Sequence, residues 1–405
     1  MKKILVLGGG FAGVESAIYL RKYNYDVTLI SARDYFYIYP TSIWIPTKEV
    51  EFEDVCVDLE ALRKAHGFNL IIDSVKAIRA KKNEVELEHL GVYSDYDYLV
   101  VALGAGKMKH AGIENTLSIC GIPEESLEIR HRFNALIAKG GGKIAMGFGG
   151  NPNDSSAVRG GPGFELIFNF HNKLKELKIR DQFELTFFAP MKEPGARMGP
   201  NALKMMDLFF NRLDIKRHFG KKIKAFQEDG IVFEDDTSLE SDLTMFIAAG
   251  DGHPVVKESD LPLNKAGFIH INDHCEVDYE HADHFCEDVD GELEQHSNVF
   301  AVGDVASMDG PDWRAKQGHV AEVMARVTAF NIHARDTGLI ERQGYQEHIN
   351  ILCVMDSGDG AAFVYRDDKR AFMLPMPIVG HWLKKGWGWY CRNSKMGRIP
   401  RIPGM

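Results

Sequence analysis

Residues 2–7, KKILVL, pass from two lysines into an unbroken apolar run, the pattern of a strand buried on both faces. The pattern then breaks at GGGFAG, runs with helical spacing to about residue 22, and returns to an apolar strand at 26–30, DVTLI. Strand, glycine turn, helix and strand make one βαβ unit. A second copy of the pattern lies downstream. Residues 143–148 read as a strand, 164–177 (FELIFNFHNKLKEL) as an amphipathic helix, 183–189 (FELTFFA) as a strand and 201–213 as a helix. Each copy is followed by a meander, near 75–100 and 222–248, ending in an apolar strand closed by glycine: YLVVALG at 98–104, TMFIAAG at 244–250. The chain then returns through NVFAVGD at 298–304 into a helix from about Trp313 to Thr337. The echo predicts an α/β fold with two tandem Rossmann-like domains. The first comprises residues 1–110 and 298–340, the second 111–297, and a small region at 341–405 carries short strands and an aromatic, basic end.

Gly8, Gly10 and Gly13 fit G-x-G-x-x-G between a strand and a helix. The first allows the tight turn, the second lets backbone approach a pyrophosphate, and the third lets helix pack on strand. Where an acidic residue ordinarily ends the second strand and holds a ribose, the chain has Ser31, with Arg33 and Asp34 close by. In the second copy the corresponding stretch, 143–165, offers Gly147, Gly149 and Gly150, but Pro152 follows and a loop delays the helix until about Pro162. The tight cradle is missing there, so no NAD(P)H is expected.

Charge alters the picture at one end. The 405 residues carry a formal −10, which argues against nucleic-acid binding. Residues 369–405 hold eight basic side chains and no Asp or Glu, +8 against the whole-chain −10, so the remainder stands at −18. The six cysteines (Cys56, Cys120, Cys275, Cys286, Cys353, Cys391) are dispersed without a C-x-x-C, which leaves isolated redox thiols or plain core cysteines. Cys275 and Cys286, among His270, His274, His281 and His284, match no standard zinc spacing and read as a surface insertion, with no metal expected.

GGGFAG paired with NVFAVGDVAS (298–307) resembles the two-part signature of disulfide-reductase-superfamily flavoproteins, and DYLVVALG (97–104) resembles their A-T-G-like turn. LISARDYFYIYPTSIW (29–44), SIC (118–120), GPGFE (161–165), AKQGHVAE (315–322) and ILCVMDSGDGAAF (351–363) occur in the order found in sulfide:quinone oxidoreductases and resemble segments of that family. The resemblance implies FAD as cofactor, with contacts at Gly8, Gly10, Gly13, Ser31, Arg33, Thr41, Val75, Ala102, Gly104, Gly303, Asp304, Lys316 and Gly318. It also implies Cys120, Cys353 and Glu165 as the reacting groups. A thiol beside a flavin exchanges with sulfur species and passes on two electrons. The implied reaction oxidises sulfide to polysulfide or sulfur through a Cys120/Cys353 pair and FAD, with electrons passed to a membrane quinone. Three positions depart from the family pattern. Arg159 stands at the third cysteine's place, Ala196 and Arg197 where many members have a histidine, and Glu124 at another histidine position.

PIVGHWLKKGWGWYCR (377–392) holds three of the five tryptophans. As a helix it aligns Ile378, Trp382 and Trp389 with Val379, Leu383 and Tyr390, while Lys384, Gly388 and Arg392 line another face. Tryptophans at the boundary and basic groups toward headgroups predict a membrane-associated C-terminal region. Phe363, Trp382, Trp387, Trp389 and Tyr390 are the candidate quinone and membrane residues. MKKILVLGGG is too short in its apolar run for a signal peptide, so a peripheral protein on the cytoplasmic face, with a homo-oligomer allowed, is expected. Three alternatives stay open: a type II NADH:quinone dehydrogenase, a soluble flavocytochrome-type sulfide dehydrogenase subunit, and a non-catalytic flavin-binding sensor.

Overall fold

The first apolar run forms β1 (Lys3–Leu7), and the glycine turn leads into α1 (Phe11–Lys22) and β2 (Asp26–Ser31). The computed structural model describes residues 1–280 and 298–401. β3 (Asn69–Ile72) and β4 (Tyr98–Val101) follow, the latter after a three-stranded antiparallel meander. The second half runs α2 (Glu125–Lys139), β5 (Gly142–Phe148), α3 (Gly161–Glu176), β6 (Phe183–Ala189), α4 (Pro200–Arg212), β7 (Ile215–Phe219) and β8 (Leu243–Ile247). The chain returns to the first half as β9 (Val299–Ala301) and α5 (Gly318–Thr337). It ends in β10 (Ile351–Asp356), β11 (Gly360–Arg366), β12 (Ala371–Pro377) and α6 (Val379–Lys395).

The first sheet is parallel, in the order β9-β4-β1-β2-β3, and the second is parallel, in the order β7-β6-β5-β8. In both, the strand before the glycine-bearing turn lies centrally, with the next strand on one side and the strand after the meander on the other. The echo in the sequence is therefore an echo in topology, and the fold is the α/β class expected. The central strands are apolar throughout because both faces are covered, in the second sheet by helices on one side and by the antiparallel meander carrying Phe226, Ile231 and Phe233 on the other. Leu5, Val6, Leu7, Leu29, Val100 and Phe300 lose essentially all exposure. Each such burial contributes about 1.5–3 kcal/mol.

Two helix starts differ from the sequence reading. α3 begins at Gly161 rather than 164, because Pro162 lies in its first turn, where a missing N–H costs nothing. α5 begins at Gly318 rather than near Trp313. Trp313 lies in a turn closed by the Arg314 N–H on the Pro311 carbonyl, residues 314–317 are irregular, and the Lys316 N–H donates to the Ser156 carbonyl at 3.2 Å. His281, His284 and Cys286 lie outside the described residues, while Cys275 is buried in the first core.

Candidate active site: a dinucleotide turn, two thiols and a buried ion pair

At the β1–α1 turn, Gly8 has φ 111°, and a Cβ there would lie 2.4 Å from the Ala102 carbonyl oxygen. A Cβ on Gly13 would lie 1.8 Å from the Gly8 oxygen, whereas a Cβ on Gly10 meets nothing within 4 Å. Two glycines thus let the turn close, and the third faces open space at the N-terminus of α1. That is a cradle for an anionic pyrophosphate. Gly303, at φ 74°, wedges between α1 and α5, where its Cβ would be 2.9 Å from that of Ala12, and Asp304 follows it. Gly104 (φ 75°) faces open space, and Gly318 starts α5 against the Phe11 ring. The glycine turn fits the pyrophosphate of FAD, and Asp304 forms an ion pair with Arg159. Lys316 is buried 4.0 Å from the Phe268 ring centre and donates to the Ala306 carbonyl, and desolvation pulls its ammonium down to about 7.

Other expected contacts are engaged locally. The Ser31 hydroxyl donates to the Arg33 carbonyl at 2.6 Å and accepts the Arg33 N–H at 3.2 Å. The Arg33 guanidinium lies over the Tyr35 ring at 5.4 Å. Thr41 donates to the Ile38 carbonyl at 3.0 Å and abuts Gly388 of α6. Val75 is half-buried at the start of the meander.

Cys120 is buried in a turn fastened by Glu125, whose carboxylate accepts the N–H groups of Ser118 (2.6 Å) and Ile122 (3.3 Å). Cys353 is half-buried on β10, opposite Val364. Both are free thiols. Burial pushes both up, Cys353 to about 12, and the charge of Glu165 pushes each the same way. At Cys120, Lys107 and Arg159 oppose the rise. The charge of Glu165 thus acts on two thiols from distant parts of the chain.

Glu165 begins the second turn of α3, 3% exposed. Its Oε1 accepts the Asp356 N–H at 2.8 Å and a hydrogen bond from the Lys384 ammonium on α6. Burial raises its carboxyl, with Lys384 pulling the other way. Asp356 is fully buried and held at Oδ1 by Trp44 Nε1 (3.0 Å) and Asn169 Nδ2 (3.1 Å), and at Oδ2 by His381 Nδ1 (2.7 Å). The other face of His381 meets Glu49 at 3.4 Å, and the two carboxylates, Asp356 first, hold the imidazolium up to about 9. Lys384, His381 and Asp356 escaped the sequence reading.

The C-terminal helix corrects one expectation. Its basic groups do not reach outward: Lys384 is buried on Glu165, and Lys395 is fully buried between Glu15 and Glu322, at 2.6 Å from each. Arg392 donates to the carbonyls of Glu53 and Cys56. Helical spacing separates two faces correctly, but carboxylates on α1, α3 and α5 make the basic face the buried one. Trp387 is likewise turned inward and packs against the first core. The outer face is apolar: Trp382 and Trp389 are 66% and 63% exposed, alongside Ile378, Val379 and Leu383. Tyr390 is intermediate. Phe363 pairs with Val354 and Leu374, so it lies on the face of the β10–β12 sheet opposite Cys353. Among the described residues, no helix is long and apolar enough to cross a membrane.

Comparison with known proteins agrees with this fold. The family model for pyridine nucleotide-disulphide oxidoreductases matches residues 2–327. The sulfide-quinone reductase of Aquifex aeolicus is 27% identical, covering 98% of this chain and 92% of that protein. A type II NADH:quinone oxidoreductase of Staphylococcus epidermidis is 23% identical over 92% of this chain and 93% of its own length. Among solved structures, the Aquifex aeolicus sulfide:quinone oxidoreductase superposes with a TM-score of 0.82 at 24% identity, covering 98% and 93% of the two chains. NDH2 from Plasmodium falciparum superposes at 0.74 with 13% identity, covering 100% and 99%. With its dinucleotide turn in place and the family model spanning most of its length, the chain is an FAD-dependent enzyme and belongs to the pyridine nucleotide-disulphide oxidoreductase family.

Proposed function

We propose that the chain is a sulfide:quinone oxidoreductase of a two-cysteine kind. The reading rests on the resemblance of the segments around both thiols, with Glu165 acting electrostatically on Cys120 and on Cys353, in a fold whose first half holds the dinucleotide turn. FAD, when bound, takes up the electron pair that the thiols release and yields it to quinone. In the proposed cycle HS⁻ attacks a Cys120–Cys353 disulfide. One S–S bond breaks, another forms as a persulfide on Cys120, and the electron pair leaves on the Cys353 thiolate. Glu165, its carboxyl raised by burial, accepts the persulfide proton. Sulfur departs as polysulfide after repeated turnover. The outer apolar face of α6 seats the enzyme peripherally on a bilayer, where quinone is found.

The loop between β5 and α3 supports sulfide over NADH as reductant. Asn151 Nδ2 donates to the Gly250 carbonyl at 2.9 Å, and Gly160 packs so closely on the Phe148 ring that a Cβ would lie 2.7 Å from it. The loop thus departs from the tight Gly8–Gly13 turn, with Gly161 left facing open space at the start of α3. The test is anaerobic mixing of the holoenzyme with sulfide or with NADH, followed by quinone. Sulfide should bleach the flavin and quinone restore it. Bleaching by NADH alone would overturn the assignment, and Cys353→Ser that kept full sulfide-dependent bleaching would overturn the thiol cycle.

A further inference from the structure

Asp356 closes β10 on the same strand as Cys353, and separate segments of the chain hold it. Its carboxylate is fully buried. Oδ1 accepts Trp44 Nε1 at 3.0 Å, Asn169 Nδ2 at 3.1 Å and the Gly358 N–H at 2.9 Å. Oδ2 accepts His381 Nδ1 at 2.7 Å. The Asp356 N–H donates to Glu165 Oε1 at 2.8 Å, and Asn169 Nδ2 also reaches the Glu165 carbonyl at 2.8 Å. Asp356 thus touches Glu165 through its backbone, and Asn169 bridges the two residues a second time. Glu165 itself is held on one oxygen. Oε1 takes the Asp356 N–H and the Lys384 ammonium, while Oε2 has no hydrogen-bond partner among the described residues. One oxygen is fixed and the other is left to react.

We infer that Asp356 and His381 are positioning residues for Glu165: a buried carboxylate–imidazolium pair that keeps Oε1 fixed, leaves Oε2 free and balances the charge behind it. The inference rests on the reading of Glu165 as the group that takes up the persulfide proton. The physical argument is one of charge. A second buried carboxylate beside Glu165 works against its ionised form, and Asp356 acts on it in that sense. His381 offsets that negative charge from the far side of Asp356. Trp44, Asn169 and the Gly358 N–H already brace Oδ1, so the bond to His381 adds charge balance rather than one more strut. The other charged neighbours are Lys384, which meets Glu165, Glu49, which meets the outer face of His381 at 3.4 Å, and Lys385, which meets Glu49 at 3.1 Å. The thiols of Cys120 and Cys353 also interact with Glu165. Asp356→Asn keeps the shape of the cluster and removes the charge that opposes ionisation of Glu165. His381→Gln keeps a donor to Oδ2 and removes the charge that offsets Asp356. The two changes push Glu165 in opposite directions, whereas a purely structural brace gives no such opposition.

The test uses the FAD-loaded protein and an infrared pH titration of the Glu165 carboxylic acid C=O band, identified by its absence from Glu165→Gln. Asp356→Asn should lower the midpoint by about one pH unit and His381→Gln should raise it by about as much, with the double variant within about half a unit of the wild type. The acid limb of sulfide-dependent flavin reduction should move with the infrared midpoint in each variant. Unchanged midpoints in both single variants would overturn the inference, and so would shifts of the same sign. If one single variant loses FAD, the sign of the other's shift decides. If sulfide fails to reduce the wild type, the proposed function falls, while the infrared titration still decides whether Asp356 and His381 set the charge at Glu165.

Discussion

Glu165 of α3 and Lys384 of α6 form a buried ion pair, their side chains 4% and 6% exposed. The pair joins the carboxylate whose charge acts on both thiols to the helix whose outer face is apolar. One contact thus connects the sulfur side of the site to the proposed membrane side. The same carboxylate oxygen holds the Asp356 N–H, three residues beyond Cys353, so the pair also fixes the end of the strand that carries this thiol.

Lys384→Met should leave Glu165 buried and uncompensated. Breaking such a pair from one side costs about 3–5 kcal/mol, whereas replacing both partners by apolar or neutral groups is often tolerated. Urea unfolding of Lys384→Met, Glu165→Gln and the double variant forms a cycle. The double variant should be more stable than Lys384→Met alone, and additive losses would show that the two groups do not interact.

His381 predicts a pH dependence. Its value is raised from 6.5 to about 9, by Asp356 first and then by Glu49. A raised value in the folded state means that protonation favours folding. The contribution is full below pH 6.5, declines as pH rises, and is lost above about 9. The Tm of the wild type should fall across that window, and His381→Gln should flatten the fall. An equal slope in both proteins would assign the titration to another group.

A second buried cluster fixes the far end of α6. Lys395 meets Glu15 and Glu322 at 2.6 Å each, and Arg401 reaches the same two carboxylates at 2.7 and 3.0 Å. Glu15 lies on α1, one turn beyond the pyrophosphate cradle. Lys395→Met should destabilise the protein by about 3–5 kcal/mol. Because the pair is fully buried, added salt should change that loss little. A loss that vanished at high ionic strength would describe a solvated pair instead.

Much of this was legible from residue patterns, because parallel strands covered on both faces must be apolar and a tight turn must be glycine. Gly8 and Gly13 close the tight turn that their spacing predicts. The buried cations were not legible. A lysine on one helix face reads as solvated unless a carboxylate is known to lie opposite, and Glu15, Glu165 and Glu322 come from three other helices. The one signal available was Glu15 itself, an acid inside the otherwise apolar stretch AGVESAIYL of α1.

The burial of Lys384 and Lys395 changes how α6 should meet a bilayer. With Lys384 and Lys395 engaged inside and Lys385 paired with Glu49 at 3.1 Å, attraction to anionic headgroups is a weaker term than the apolar contact made by Trp382, Trp389, Ile378, Val379 and Leu383. Binding to neutral phosphatidylcholine vesicles should therefore be substantial and only modestly strengthened by anionic lipid. Trp382→Ser with Trp389→Ser should reduce vesicle partitioning by more than about tenfold. FAD content should be unchanged, since neither side chain packs in the interior. Vesicle co-sedimentation at low and high salt measures this directly. Binding that required anionic lipid and disappeared with salt would show that basic groups, not the tryptophan face, hold the protein at the surface.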